Sequence, residues 1–223
     1  MGVQAILFDI DGTLISTGGA SDRAWKRAFK ELHDVDVDVP AVTGKGVPDP
    51  EVGRVSFKAA LGREPTDEEA EALMRRRLDH LPEEVENSSG FVVKDGVVEL
   101  LERLIDDGVV LGLTTGNVEE AAHIKLSRAN LNRFFSFGGY GSDSPDRTEL
   151  TKKALERGRL VSGRTLDREC CFSCGDTPRD VEAGHGAGIR VVGVATGEYT
   201  VDQLLDAGAD AAVASLREGM PLL

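Results

Sequence analysis

Residues Val3 to Thr13 read VQAILFDIDGT, and the remainder of the chain can be organised around them. Ala5 to Phe8, with Val3 two positions before, are apolar without alternation, which predicts a strand buried on both faces. The run stops at Asp9-Ile10-Asp11-Gly12, so chemistry is expected at the carboxyl end of that strand. Gly12 permits a sharp turn from which Thr13 and Leu14 lead away. Two carboxylates on one tight turn repel each other and are costly to desolvate unless a cation or a proton lies between them. A hard divalent ion, Mg2+, meets that need with oxygen ligands.

Beyond Leu14 the text ISTGGASD is loop-like, and residues 16–20 read as a hinge. Ala24, Trp25, Ala28, Phe29 and Leu32 then recur at three-to-four spacing and predict an amphipathic helix over 21–32. Residues 34–50 alternate Val with Asp and continue as VTGKGVPDP, a composition that predicts irregular chain. A second helix is expected over 50–61. Thr66 with Glu69 forms a capping box that opens a third helix, carrying Leu73, Leu78 and Leu81 and ending by Pro82. No strand pattern interrupts this stretch. Residues 16–90 are therefore expected to form an α-helical insert within a core made of 1–15 and 91–223.

From Val92 the pattern alternates. Helices are expected over 95–107, 118–129, 148–157, 178–187 and 202–207, with Gly108 stopping the first and Pro178 opening the fourth. Between them lie apolar segments that read as strands: VVLGLTT, FFSFGGY, CCFSCGD, IRVVGVATG and AAVA. This order predicts an α/β fold, a Rossmann-like doubly wound parallel sheet with right-handed crossovers. Ligands in such sheets bind beyond the carboxyl ends of the strands, near the switch in winding direction. Three predicted strand ends carry polar chemistry: Asp9 and Asp11, Thr115 to Asn117, and Gly175 to Asp180.

Composition narrows the function classes. The 223 residues are 40% hydrophobic, enough for a real core, and carry 26 Lys and Arg against 39 Asp and Glu, a net charge of −13. Such a field repels nucleic acid and anionic membrane, so neither is an expected partner, and an anionic substrate needs positive charge at the site itself. The sequence has no signal-peptide layout at its N-terminus and no apolar run near 18 residues, and the cytoplasm is the expected location. Cys170, Cys171 and Cys174 stand in ECCFSCGD. The Cys171–Cys174 spacing falls within a predicted strand whose side chains alternate between faces, so these read as small core thiols. His33, His80, His123 and His185 show no metal-ligand spacing.

FDIDGT resembles the first motif, DxDGT, of the haloacid dehalogenase superfamily, in its phosphatase branch. CGDTPRD resembles the fourth, GDxxxD, and LTTGN the second, a strand ending in Ser or Thr. TGN followed by VEEAAHIKL is similar to a phosphoglycolate phosphatase-like branch. The usual KP pair of the third motif is absent; DSPDRTEL stands there and offers Arg147, with Lys152 and Lys153 as fallbacks inside the predicted helix. The same residues also suit structural parts: Asp176 or Thr177 as a helix cap, Asp180 as a first-turn acid, Thr115 as an N-cap, and Arg147 as a solvated surface residue.

The resemblance implies a Mg2+-dependent hydrolase of small phosphomonoesters, with the helical insert 16–90 as the small cap that closes over the site. Asp9 would be the nucleophile, and Asp11 the acid and base, with the proton it supplies pointing to phosphate esters as substrates. Asp9, the Asp11 carbonyl and Asp176 would ligate the metal, with Asp180 supporting that shell. Thr115 and the amides of Gly116 and Asn117 would take phosphate oxygens, and Arg147 would stand beside nucleophile and phosphate. Lys45, the one cation of GKGVPDP, is placed either against a substrate carboxylate or in solvent. The expected partner is a small phosphorylated metabolite, phosphoglycolate-like. Two alternatives remain at this level: a phosphomutase with the same motifs, and a phosphoacceptor or binding module, against which the helical insert and GDTPRD both speak.

Overall fold

In the computed structural model, which describes residues 2–221, the chain opens with β1 (Ala5–Phe8), β2 (Ile15–Ser16) and four helices. These are α1 (Ala20–His33), α2 (Val39–Val42), α3 (Asp49–Leu61) and α4 (Asp67–Glu86). It continues through β3 (Val92–Val93), α5 (Val97–Asp106), β4 (Val110–Thr115), α6 (Glu119–Ser127), β5 (Gly138–Tyr140) and α7 (Arg147–Ser162). The last elements are β6 (Cys171–Gly175), α8 (Pro178–Gly186), β7 (Arg190–Val194), α9 (Val201–Asp206) and β8 (Ala211–Val213).

Six strands form one parallel sheet in the order β5-β4-β1-β6-β7-β8, with β1 central. Successive residues of a strand point to opposite faces, and β1 shows the consequence. Ile6 and Phe8 join the core cluster with Leu100, Leu104 and Leu126, while Ala5 and Leu7 join the opposite cluster with Ala154 and Ala187. Helices cover both faces, which is why β1 carries no polar residue. The fold is the expected doubly wound α/β sheet. Its winding reverses between β4 and β6, on either side of β1, so the carboxyl ends of all three meet at the switch point.

The four consecutive helices α1 to α4 pack around Trp25, Phe29, Phe57 and Leu73. Their chain enters and leaves through a two-stranded ribbon, in which β2 pairs antiparallel with β3. The Ser88 hydroxyl closes the same crossing by donating to the Thr17 carbonyl at 2.7 Å. A second apolar seam, Ala20, Ala24, Leu81 and Val85 against Val118 and Ala121, seats the helical block on α6.

Three local expectations are corrected. α4 does not end at Pro82 but runs through it to Glu86. Pro82 lacks one amide, yet Leu81 and Val85 stay buried on one face, and Arg23 and Arg27 clamp Glu83 and Glu84. The supposedly irregular stretch 34–50 contains α2, whose first turn is capped by the Asp38 side chain accepting from the Ala41 amide. Of FFSFGGY only Gly138–Tyr140 is strand, because Phe134 and Phe135 close a short 3-10 turn and pack into the core. Among the described residues no helix is long and apolar enough to cross a membrane, and all three cysteines are free and buried.

Candidate active site

The end of β1 delivers Asp9, buried, and a turn at Gly12 with φ +92°. A Cβ at Gly12 would run into the Asp176 carboxylate, as would one at Gly197, so two glycines leave space for that acid. Thr13, fully buried, donates from its hydroxyl to Asp176 Oδ1 at 3.0 Å. Asp176 follows β6, and one oxygen each from Asp9, Asp176 and Asp180 lie within 4.8 Å of one another.

Asp180 sits in the first turn of α8. Its Oδ2 accepts from the Thr177 amide at 3.0 Å and from the Thr177 hydroxyl at 2.7 Å, while Arg147 binds its Oδ1. Thr177, not Asp176, is thus the helix cap, and Asp180 completes the capping box while facing the cluster. Arg147 begins α7 rather than preceding it, and its buried guanidinium spans Asp180, Asp9 Oδ1 at 3.5 Å and the Gly46 carbonyl at 3.1 Å. It is not a solvated residue. Lys152 pairs with Glu149 on the exposed side of α7.

Burial and then the neighbouring Asp180 push the Asp9 carboxyl well above its ordinary pKa, with Arg147 opposing. Burial and then Asp180 also push Asp176 up, to about 7. Three carboxylates therefore share one buried space with a single guanidinium, and that surplus of negative charge is what a divalent cation would offset. The donor set, all carboxylate oxygen, suits a hard ion.

Asp11 stands apart from this cluster. Its Oδ2 accepts from Asn117 Nδ2 at 2.7 Å and from Lys125 Nζ at 2.7 Å. Burial raises its pKa, but the charge and hydrogen bond of Lys125 and the hydrogen bond of Asn117 outweigh that, leaving it below the ordinary carboxylate value. Thr115, at the end of β4, accepts from the Asn117 side chain at 2.8 Å, and the Asn117 amide N–H turns to the same hydroxyl at 3.3 Å. The Gly116 carbonyl accepts from the Asp49 amide at 2.7 Å.

Two residues of the site escape a sequence reading. Lys125 is 2% exposed in the middle of α6. Its one signal is its position on the helix face shared with Ala121, Ala122 and Leu126. Asp49, at the start of α3, accepts from the Val118 amide at 3.0 Å, so it serves the start of α6 where Thr115 was a candidate cap. Buried Arg77 of α4 grips Asp49 with two nitrogens, at 2.8 and 3.2 Å. Between the helical block and the strand ends lies a cleft of about 580 Å³, lined by Asp9, Asp11, Thr115, Arg147 and Asp176 below and by Ser21, Trp25 and Lys45 above. Lys45 is exposed at its edge, its Nζ 3.5 Å from Glu198.

These features agree with comparisons to known proteins. Residues 6–194 match the family model described as haloacid dehalogenase-like hydrolase, and the chain belongs to that family. Within it, the chain is an enzyme of the phosphatase type. It is 29% identical over 201 residues to a probable phosphatase, IndB, of Dickeya dadantii, covering 89% of this chain and 84% of that one. It is also 29% identical to an N-acetylmuramic acid 6-phosphate phosphatase of Pseudomonas aeruginosa, covering 100% of this chain and 96% of the relative. Among solved structures, a predicted phosphoglycolate phosphatase from Haemophilus somnus superposes with a TM-score of 0.75 at 20% identity, covering 97% of this chain and 96% of that chain.

Proposed function

We propose that this protein is a Mg2+-dependent phosphomonoesterase that hydrolyses a small phosphorylated metabolite, phosphoglycolate-like in size, through an aspartyl-phosphate on Asp9. The observation that carries the reading is the crowding of Asp9, Asp176 and Asp180 around one buried space, closed by Arg147, with Asp11 held two residues away on a separate network.

Asp9, Asp176 and the Asp11 backbone carbonyl would hold the metal, with Asp180 supporting them from its capping position. The ion would supply positive charge against the phosphoryl oxygens. The chain's own groups do the rest. An oxygen of Asp9 forms a bond to phosphorus as the bond to the ester oxygen breaks, and the leaving oxygen takes a proton from Asp11. Arg147, Thr115 and the Gly116 amide receive the phosphoryl oxygens. In the second half, water gives its proton to Asp11 and attacks phosphorus, the bond to Asp9 breaks, and inorganic phosphate leaves.

Residues 16–90 act as a lid on the core of 1–15 and 91–223, excluding water during the first half-reaction. Lys45 faces the far end of the substrate and pairs with an anionic group there. Release of inorganic phosphate from p-nitrophenyl phosphate and from a panel of phosphorylated metabolites, with and without Mg2+, tests the reading. Metal-dependent release is expected, and Lys45→Ala should raise KM for a carboxylate-bearing substrate. No release from any ester would overturn it.

A further inference from the structure

Lys125 has no part in the scheme so far, yet it is a lysine buried to 2% in the middle of α6, with alanines and a leucine as its companions on that face. A buried ammonium costs several kcal/mol unless its donors are matched. Here Nζ donates to Asp11 Oδ2 at 2.7 Å and to Asn117 Oδ1 at 2.6 Å. A position needing only packing would be filled by an aliphatic side chain.

The arrangement has a direction. An ammonium only donates, so the Asn117 amide must turn its oxygen to Lys125 and its nitrogen away. That nitrogen then donates to both Asp11 Oδ2 and the Thr115 hydroxyl, at 2.7 and 2.8 Å. Lys125 thereby sets the orientation of Asn117 as well as gripping Asp11 directly. Both bonds to Asp11 land on the same oxygen. Oδ1 has no hydrogen-bond partner among the described residues, while the Asp11 side chain is 41% exposed and lines the cleft.

We propose that Lys125 is a positioning residue which, with Asn117, clamps Asp11 Oδ2 so that Oδ1 is the oxygen that hands the proton to the leaving group. The inference rests on Asp11 being the acid of the proposed phosphatase. As the Asp9–phosphorus bond forms and the phosphorus–ester bond breaks, the ester oxygen keeps the electron pair and takes the proton from Oδ1. The same oxygen later receives the proton of the attacking water, while the electron pair of the broken acyl-phosphate bond returns to Asp9.

The test uses first-turnover release of the leaving group from two aryl esters by the Mg2+-loaded full chain. Phenyl phosphate needs a proton on its leaving oxygen; 2,4-dinitrophenyl phosphate does not. Lys125→Met should slow phenol release roughly 10- to 100-fold, a share of the about 10²–10⁴ that general acid–base catalysis supplies, and leave dinitrophenolate release within about twofold of wild type. In an Asp11→Asn background Lys125→Met should add no further slowing with phenyl phosphate. Lys125→Gln, which keeps a donor towards Asn117, should show the same selectivity if the Met variant does not fold. Equal slowing of both esters, additive slowing in the Asp11→Asn background, or no slowing of phenol release would overturn the proposal. Wild-type protein that cleaves neither ester would remove the phosphatase reading itself and the inference with it.

Discussion

The Thr13 hydroxyl donates a 3.0 Å hydrogen bond to Asp176, 163 residues away in the chain. It joins the turn after β1 to the end of β6, and so holds Asp176 against the strand end that carries Asp9. Thr13→Val keeps the shape and removes the bond. Partners that orient a ligating carboxylate are typically worth about 10- to 100-fold in metal affinity or activity. The Mg2+ concentration for half-maximal phosphate release is expected to rise by that order, with activity at saturating Mg2+ largely retained. An unchanged Mg2+ titration would contradict this.

Arg147 binds Asp180 and lies 3.5 Å from Asp9, and Asp180 and then Asp9 outweigh burial to raise its pKa above the ordinary arginine value. It therefore stays charged through the working range. Arg147→Met should lower kcat by about 10²–10³, the usual consequence of removing one donor to a developing charge. Arg147→Lys should recover part of that loss, since it restores the charge but not the fork that spans two carboxylates. Steady-state kinetics on p-nitrophenyl phosphate would show the order wild type, Lys, Met; equal rates in all three would contradict the assignment.

Burial first, then Asp180, hold the Asp176 carboxyl at a pKa of about 7, above its unfolded value near 3.8. An acid that binds its proton more tightly when folded makes the native state lose stability as pH rises from the unfolded to the folded pKa, by up to about 1.4 kcal/mol per pH unit. Asp9 shifts in the same direction. In chelator, the melting temperature should fall between about pH 5 and about pH 7. Mg2+ should restore it at the upper end more than at the lower. A melting temperature that Mg2+ raises equally at both would contradict this.

The Arg77–Asp49 pair is buried on both sides, and Arg77 also lies 5.0 Å from the centre of the Trp25 ring. Removing one partner strands a buried charge, at a cost of about 3–5 kcal/mol. Arg77→Ala should lower the melting temperature by roughly 10 °C, given about 2–4 °C per kcal/mol for a chain of this size. Replacing both residues with apolar ones of similar volume should cost less. A change of under a degree in the single variant would contradict the reading.

Much of the sheet is legible from sequence because β1 is apolar on both faces and because each polar strand end is punctuated by Gly, Thr or Asp. Those are local signals. Asp9, Asp11 and Asp176 could be picked out for the same reason: all three stand just beyond the end of a predicted buried strand. Lys125 could not, since what makes it unusual is Asp11, which precedes it by 114 residues and meets it only when β1 and β4 pair. Asp49 and Arg77 are hidden in the same way, as ordinary charged residues of helices until α3 and α4 pack together. Pro82 misleads because a proline signal is local, whereas the burial of Leu81 and Val85 that keeps α4 intact is tertiary.

Acid quench of Asp11→Asn during turnover of p-nitrophenyl phosphate, followed by peptide mass spectrometry, tests the covalent role of Asp9 most directly. A good leaving group lets the first half-reaction proceed without the acid, while loss of the base stalls the second. One phosphoryl group is therefore expected on the peptide carrying Asp9, absent when Asp9→Asn is added. Turnover with no phosphorylated peptide, or a phosphoryl group on another residue, would contradict it.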